Sequence, residues 1–335
     1  MSESTPLLAV EDVAKRFVKH LDLAARIGAR LGAQVREEVV HAVDGASFSV
    51  ARGEVVGLVG ESGCGKSTLG RLVAGLLEPS AGKIFLDGAP RERLTPRERL
   101  VVQMIFQDPY ASLNPRMRVG SIIGEGLITG KLARRREIPG IVEELMKQVG
   151  LDPEYRNRFP HQFSGGQRQR IGIARALAVQ PRLLVCDEAV SALDVSIQAQ
   201  ILNLFMDLRG QLELTYLFIT HDLGVVQYLC DRVLIMYLGR IVESAPTATL
   251  FANPNHPYTR ALLAEIPRLR QRRRDFKPIS GEIPSPMDPP PGCHFHPRCP
   301  HAMAHCRVEV PVYREIAPGH GAACHLNDEK NVKEA

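Results

Sequence analysis

The sequence predicts an α/β fold built on a parallel sheet. Three observations carry that reading. Val55-Val56-Gly57-Leu58-Val59 is a short apolar run of the kind buried on both faces of a sheet. A glycine-rich turn and a helical pattern over 66–77 follow it at once, the opening unit of a parallel α/β domain. Two more apolar runs, Leu183-Leu184-Val185-Cys186 and Tyr216-Leu217-Phe218-Ile219, end in the polar groups Asp187-Glu188 and Thr220-His221-Asp222.

The remaining elements follow in order. A strand-like stretch lies near 7–10. The alternating run Ala46-Ser47-Phe48-Ser49-Val50 follows an Asp44-Gly45 turn and reads as a strand. Between them, residues 20–40 read as an inserted, partly helical excursion (Leu21, Leu23, Ala24, Ile27, Leu31). The middle, about 111–180, is rich in helix formers and charge, with turn signals at Asn114-Pro115 and Pro139-Gly140. Val233-Leu234-Ile235-Met236 and Arg240-Ile241-Val242 flank Gly239 as a hairpin. Beyond about 270 the texture changes. A basic run, Arg272-Arg273-Arg274, precedes eight prolines over 278–300, too dense for a long helix or a central strand.

Composition narrows the function classes. The 335 residues are 44% apolar, enough for one large domain with its own core plus an appendage. Aromatics are only 5% and Trp is absent, which argues against a ring-lined surface for sugars or nucleic acid. A net charge of +5 is too mild to imply a polyanionic partner, and no nucleic acid is expected. No apolar run approaches the roughly 18 residues of a membrane span. The N-terminus lacks the charged and apolar regions of a secretory signal, so a cytosolic chain is expected.

Gly60-Glu61-Ser62-Gly63-Cys64-Gly65-Lys66-Ser67 fits the phosphate-loop pattern G-x4-G-K-[ST]. Glycines let the backbone curl so that its N–H groups converge on one anion, and the following helix adds its positive end. Lys66 supplies a point charge for the β- and γ-phosphates, and Ser67 a hydroxyl ligand for Mg²⁺. Cys64 fills a variable position and reads as incidental. The strand at 183–186 delivers two carboxylates to its C-terminal edge, where open α/β sheets bind ligands. There Asp187 can hold the magnesium shell and Glu188 can orient or deprotonate a water, although two acids capping a turn are common. Ser164-Gly165-Gly166-Gln167 opens a helix at 168–179; alone it reads as an ordinary N-cap.

Taken in order, the phosphate loop, Gln107 in Ile105-Phe106-Gln107-Asp108, residues 164–167, Asp187-Glu188, Ser191-Ala192-Leu193-Asp194 and His221 closely resemble the ATPase subunit of ABC transporters. The resemblance covers about residues 7–265. It implies a P-loop NTPase fold: a RecA-like core, an antiparallel β subdomain and an inserted helical subdomain. It implies that Phe17 stacks on adenine, and that Gly60, Ser62, Gly63, Gly65, Lys66, Ser67 and Thr68 cradle the phosphates. Ser67, Gln107 and Asp187 would hold Mg²⁺. Two subunits would face head to tail, each ATP lying between one phosphate loop and the partner's Ser164, Gly165, Gly166 and Gln167. Gln107 would sense the γ-phosphate and couple to the helical subdomain, Glu188 would polarise the attacking water, His221 would contact the γ-phosphate, and Asp194 would bridge to the partner site. Phe163 stands where Leu is usual and Ala189 where Pro is usual; neither removes a catalytic group.

A narrower resemblance is to the oligopeptide/dipeptide/nickel importer branch. It rests on Met104-Ile105-Phe106-Gln107-Asp108-Pro109-Tyr110-Ala111-Ser112-Leu113-Asn114-Pro115 and Asn255-His256-Pro257-Tyr258-Thr259-Arg260-Ala261-Leu262-Leu263. Gly65-Lys66-Ser67-Thr68-Leu69-Gly70-Arg71 leans towards the second of that branch's two ATPases. This implies two membrane permeases, a second, paralogous ATPase chain (a homodimer being the other arrangement), an extracytoplasmic solute-binding protein, and a peripheral place on the cytoplasmic face of the membrane. His256-Pro257-Tyr258 reads as a structural turn before a helix. The expected division is an ATPase domain over 1–265 and a small Pro/Cys-rich C-terminal extension over 266–335.

Four of the seven cysteines, Cys293, Cys299, Cys306 and Cys324, lie in that extension, where a cytosolic chain uses them for metal or redox chemistry. Their spacing resembles the same branch's C-terminal extension, in some members of which four cysteines hold a [4Fe–4S] cluster. Four thiolates suit such a cluster and structural zinc alike, six nearby histidines keep a mixed Cys/His zinc site open, and an extension without metal is the remaining reading. The expected function is ATP hydrolysis powering peptide import. The alternatives are import of nickel or another small solute and a soluble, non-transport ABC ATPase. An exporter subunit fits poorly with the 255–263 motif and the cysteines.

Overall fold

The computed structural model describes residues 5–19, 38–265 and 281–328. Strands β1 (Leu8–Lys19) and β2 (Glu38–Val50) pair antiparallel, and β3 (Val55–Val59) leads into helix α1 (Lys66–Ala74). Then come β4 (Ala81–Leu86), β5 (Ala89–Pro90) and β6 (Val102–Ile105). Helices α2 (Val119–Thr129), α3 (Ile138–Gln148) and α4 (Gly165–Leu177) fill the interval before β7 (Leu183–Asp187). Next are α5 (Val195–Leu212), β8 (Thr215–Ile219), α6 (Leu223–Leu229), β9 (Arg232–Tyr237), β10 (Arg240–Pro246), α7 (Thr247–Ala252) and α8 (Pro257–Ala264). The extension adds β11 (Arg314–Ala317) and β12 (His320–Ala322).

The strands form two sheets. A four-stranded antiparallel sheet runs β2-β1-β4-β5, and an eight-stranded sheet runs β11-β12-β10-β9-β3-β8-β7-β6. Within the larger sheet, β9, β3, β8, β7 and β6 are parallel. These strands are buried on both faces because side chains alternate between two cores. Val56, Leu58, Leu183, Val185, Leu217 and Ile219 face α1 and the antiparallel sheet. Val55, Val59, Leu184, Cys186, Tyr216 and Phe218 face the opposite core with α4, α5 and the helical insertion. The expected α/β core, β subdomain and inserted helices are all present.

Local differences from the sequence reading have local causes. The first strand extends far beyond 7–10, to Lys19, because β2 and β4 pair with it on either side. The excursion at 20–40 lies outside the described residues over 20–37, and its last three residues belong to β2. The first helix ends at Ala74 rather than 77, because Gly75 adopts φ 74° and its N–H turns back to the Arg71 and Leu72 carbonyls. Pro139-Gly140 is the first turn of α3, where proline's missing donor is no loss.

Proline density excludes strands only up to 300. Beyond it, β12 pairs antiparallel with β10 (Glu243 beside Ala322, Ser244 beside Gly321), so the extension continues the main sheet. The buried Glu243 carboxylate accepts from the backbone N–H groups of Asn255 and His256 and meets His320 Nε2 at 2.8 Å. One carboxylate thus fixes β10, the start of α8 and β12 together.

Candidate active site

Strand register gathers the reactive side chains at one edge. Leu58 lies beside Ile219, Ile219 beside Asp187, and Cys186 beside Ile105. Gly60, His221, Glu188 and Gln107 each follow one of these positions by two residues, so they emerge together at the C-terminal ends of β3, β8, β7 and β6.

The loop between β3 and α1 wraps the Lys66 side chain, which is buried. Its ammonium donates to the Gly60 carbonyl at 2.7 Å and the Glu61 carbonyl at 2.8 Å. Gly65 has φ 107°, and a Cβ there would overlap the Ala42 carbonyl oxygen; a Cβ on Gly60 would overlap that of Met236. Only glycine lets the loop pass this close to two backbones. Ser62 and Gly63 form its exposed crest, and Ser67 and Thr68 lie half-buried in the first turn of α1. That turn holds no acidic residue, so its N–H groups remain suited to an anion.

The Ser67 hydroxyl donates to Asp187 Oδ1 at 2.7 Å. Burial raises the Asp187 carboxyl above the usual range, against the pull of the Ser67 hydrogen bond and the charge of Arg71. Hydroxyl and carboxylate together present hard oxygens of the kind Mg²⁺ prefers. Glu188 adopts φ 47°, a left-handed conformation that costs about 1–2 kcal/mol in a non-glycine residue. Its Oε2 accepts from Gln107 Nε2 at 2.6 Å, and its Oε1 lies 3.3 Å from His221 Nδ1. A carboxylate held between an amide and an imidazole beside the phosphate loop is placed to orient a water.

Three other expected groups stand apart. Phe17 is 41% exposed on β1, with the Lys15 ammonium 5.3 Å from its ring centre. Ser164 caps α4: its Oγ accepts from the Gln167 N–H at 3.3 Å, and Gln167 Oε1 accepts from the Ser164 N–H at 3.0 Å. Ser164, Gly165 and Asp194 are exposed, and Gly166 is buried against Ile197 of α5. Among the described residues no hydrogen bond joins 164–167 to the phosphate loop. Phe163 is buried edge-on to Tyr155, and Ala189 is buried too.

Cys293, Cys299, Cys306 and Cys324 line one small cavity of about 10 Å³, beside His256 and Phe295. Burial pushes the Cys324 thiol up to about 12, and repulsion from the other three cysteines adds to it. Burial raises Cys293 and Cys299 as well. A second cluster, His305, His325 and Asp328, brings its ligand atoms within 4.8 Å of one another. Here His325 Nδ1 meets Asp328 at 2.8 Å and Nε2 meets the Glu309 carbonyl at 3.0 Å, so protein groups engage both ring nitrogens.

Three residues at the phosphate loop carry no site signal of their own in the sequence. Tyr258, in the 255–263 motif, accepts a hydrogen bond from the Glu61 N–H at 2.9 Å. Glu61, at a variable loop position, pairs with Arg298 of the extension. No local signal marks this link, because its partners are 197 and 237 residues away. The 255–263 motif did flag Tyr258, without a role.

Residues 43–191 match the ABC transporter family, and residues 242–306 match the oligopeptide/dipeptide transporter C-terminal region. A putative peptide import ATP-binding protein of Brucella ovis is 51% identical over 325 residues, which is 96% of this chain and 98% of that one. The chain belongs to the ABC transporter family. It is the ATP-binding, ATP-hydrolysing type of subunit, with ATP and Mg²⁺ as substrate and cofactor. The oligopeptide transport ATP-binding protein AppF of Bacillus subtilis is 52% identical over 295 residues, 86% of this ABC ATPase and 90% of that chain. Among solved structures, cbiO1 of Clostridium perfringens, part of the ABC transporter complex cbiONQ, is 27% identical with a TM-score of 0.60. That likeness covers 74% of this chain and 92% of the other. Among the described residues, no helix is long and apolar enough to cross a membrane.

Proposed function

We propose that this ABC ATPase powers import of di- or oligopeptides through two membrane permeases supplied by an extracytoplasmic binding protein. The observation that carries the peptide assignment is the match of residues 242–306 to the oligopeptide/dipeptide transporter C-terminal region. Relatives named for peptide import, 51% and 52% identical, support it. The chain then works at the cytoplasmic face of the membrane as a peripheral subunit. Its functional division is an ATPase domain over 1–265 and an extension over 266–335.

The geometry supports a division of labour among the site residues. The loop N–H groups, the α1 terminus and Lys66 bind the phosphates, and Phe17 stacks on the base. Ser67 and Asp187, now hydrogen-bonded to each other, would hold Mg²⁺ with Gln107 beside them, and the ion would supply charge neutralisation for the phosphates. Glu188 exchanges its hold on Gln107 and His221 for the attacking water, and His221 turns to the γ-phosphate. The exposed Ser164, Gly165 and Asp194, together with Val195 at 83% exposure, suit an interface with a second ATPase subunit, a paralogue or a copy of this chain.

The four thiols converging on one cavity support a metal-bearing extension. Buried thiolates repel one another, and a cationic group relieves that repulsion. A [4Fe–4S] cluster is the proposed occupant and Zn²⁺ the alternative. Anaerobic purification should yield a brown protein with broad visible absorbance; a colourless sample with stoichiometric zinc overturns the cluster assignment.

The transport assignment is tested by reconstituting the chain with its permeases in liposomes. Peptide with its binding protein should stimulate ATP hydrolysis several-fold. Stimulation by nickel alone, or failure to co-purify with permeases, overturns it.

A further inference from the structure

We propose that Arg298, in the C-terminal extension, is a positioning residue for the phosphate loop and sets nucleotide affinity through Glu61. The contact is bidentate: Arg298 Nη1 donates to Glu61 Oε2 at 2.7 Å and Nη2 to Oε1 at 2.9 Å. The Arg298 side chain is 4% exposed, so the pair is shielded from screening by solvent. Glu61 is a junction within the loop. Its carbonyl accepts from the Lys66 ammonium, and its N–H donates to Tyr258 Oη. Displacing Glu61 therefore displaces an acceptor that orients the phosphate-binding lysine.

The arginine is packed on several sides. It closes the turn His296–Arg298, whose last N–H donates to the Phe295 carbonyl at 3.0 Å. Its guanidinium lies 5.8 Å from the Tyr237 ring centre. Phe295 packs edge-on against Tyr237 at 5.3 Å and tilted against Tyr258 at 5.4 Å. The extension thus reaches the loop twice, by charge through Arg298 and by packing through Tyr258. A tail that served only as a cap would have no need to aim a buried guanidinium at the nucleotide loop. The inference rests on the ATPase assignment and needs no metal in the extension.

Binding of mant-ATP with Mg²⁺ to the full chain, read by fluorescence anisotropy, tests this. Arg298→Ala should weaken binding about tenfold, the scale of a lost charged hydrogen-bond pair. Arg298→Lys should lose less, since one ammonium cannot span both carboxylate oxygens in the same plane. Glu61→Gln should also weaken binding, and the double variant Arg298→Ala with Glu61→Gln should bind no worse than the weaker single variant. A merely structural role lowers the thermal midpoint of the nucleotide-free chain and leaves the affinity of the folded protein unchanged. Unchanged affinity, or fully additive losses in the double variant, overturns the proposal. Should Arg298→Ala not fold, the cycle of Arg298→Lys with Glu61→Gln gives the same readout. No permease or peptide enters the assay, so its failure is distinguishable from failure of the peptide-import assignment.

Discussion

The phosphate loop occupies eight consecutive residues, 60–67, whereas the four thiols of the extension are spread from 293 to 324 with turns and two strands among them. The loop binds chiefly with backbone, so its chemistry demands a fixed run of glycines and one lysine. The cysteine cavity is built from side chains, so any path that brings four sulfurs to its wall will do. The two regions meet at Glu61, where Tyr258 and Arg298 reach the loop from the C-terminal side. A backbone-built site is thus held in shape by side chains from the C-terminal part of the chain.

The largest expected effect lies wholly on the loop side. Glu188→Gln in every ATPase subunit of the assembly should lower phosphate release by about 10²–10⁴-fold and leave mant-ATP binding intact. Turnover within a few-fold of the parent would remove Glu188 from the water-orienting role. Gly65→Ala should cost roughly 3 kcal/mol, from the left-handed backbone and the clash with Ala42, read as a lower thermal midpoint with weakened ATP binding. An unshifted midpoint would mean that the loop tolerates a side chain where two backbones meet.

The α8 motif, which packs against the extension, predicts smaller effects. Burial pushes the His256 imidazole down to about 3 from an ordinary 6.5. Its Nδ1 accepts the Tyr258 N–H at 3.1 Å and so stays unprotonated as a cap of α8. Below about 6.5 the unfolded chain takes up a proton that the folded one refuses until about 3, so stability falls as pH drops through that window. By pH 5 the loss should be about 2 kcal/mol, and His256→Asn should flatten the urea-midpoint profile between pH 7 and 5. An equally steep profile in the variant would assign the acid sensitivity elsewhere. Tyr258→Phe should cost about 1 kcal/mol by leaving the Glu61 N–H without its acceptor. A wild-type midpoint and affinity for that variant would show that packing alone joins the α8 motif to the loop.

Legibility followed sequence distance. Gly60, Asp187 and Glu188 stand at strand ends, where an apolar run stops and polar residues begin, and Lys66 and Ser67 open the helix that follows one, so alternation and spacing revealed them. Gln107 and His221 needed the family's order of motifs, because one polar residue after a strand is common. Tyr258, Arg298 and Glu61 needed coordinates, since nothing local in Glu61 marks it as the partner of a guanidinium 237 residues away. Proline density excludes a long helix or a central strand over 278–300, and the described residues 281–300 hold neither. The strands beyond it exist because β10 offered an unpaired edge, a property of the neighbour and invisible in residues 314–322 themselves.

The sequence alone determined the parallel α/β core, the phosphate loop and the pair of carboxylates, because buried strands and anion-binding backbone impose short, contiguous patterns. It also determined that four thiols lie in the extension. Tertiary structure alone decided that Ser67 meets Asp187, that Glu188 lies between Gln107 and His221, and that Arg298 grips the phosphate loop. Those contacts depend on strand register and on which edge of the sheet the tail joins, and each of these is settled by packing between segments far apart in the chain.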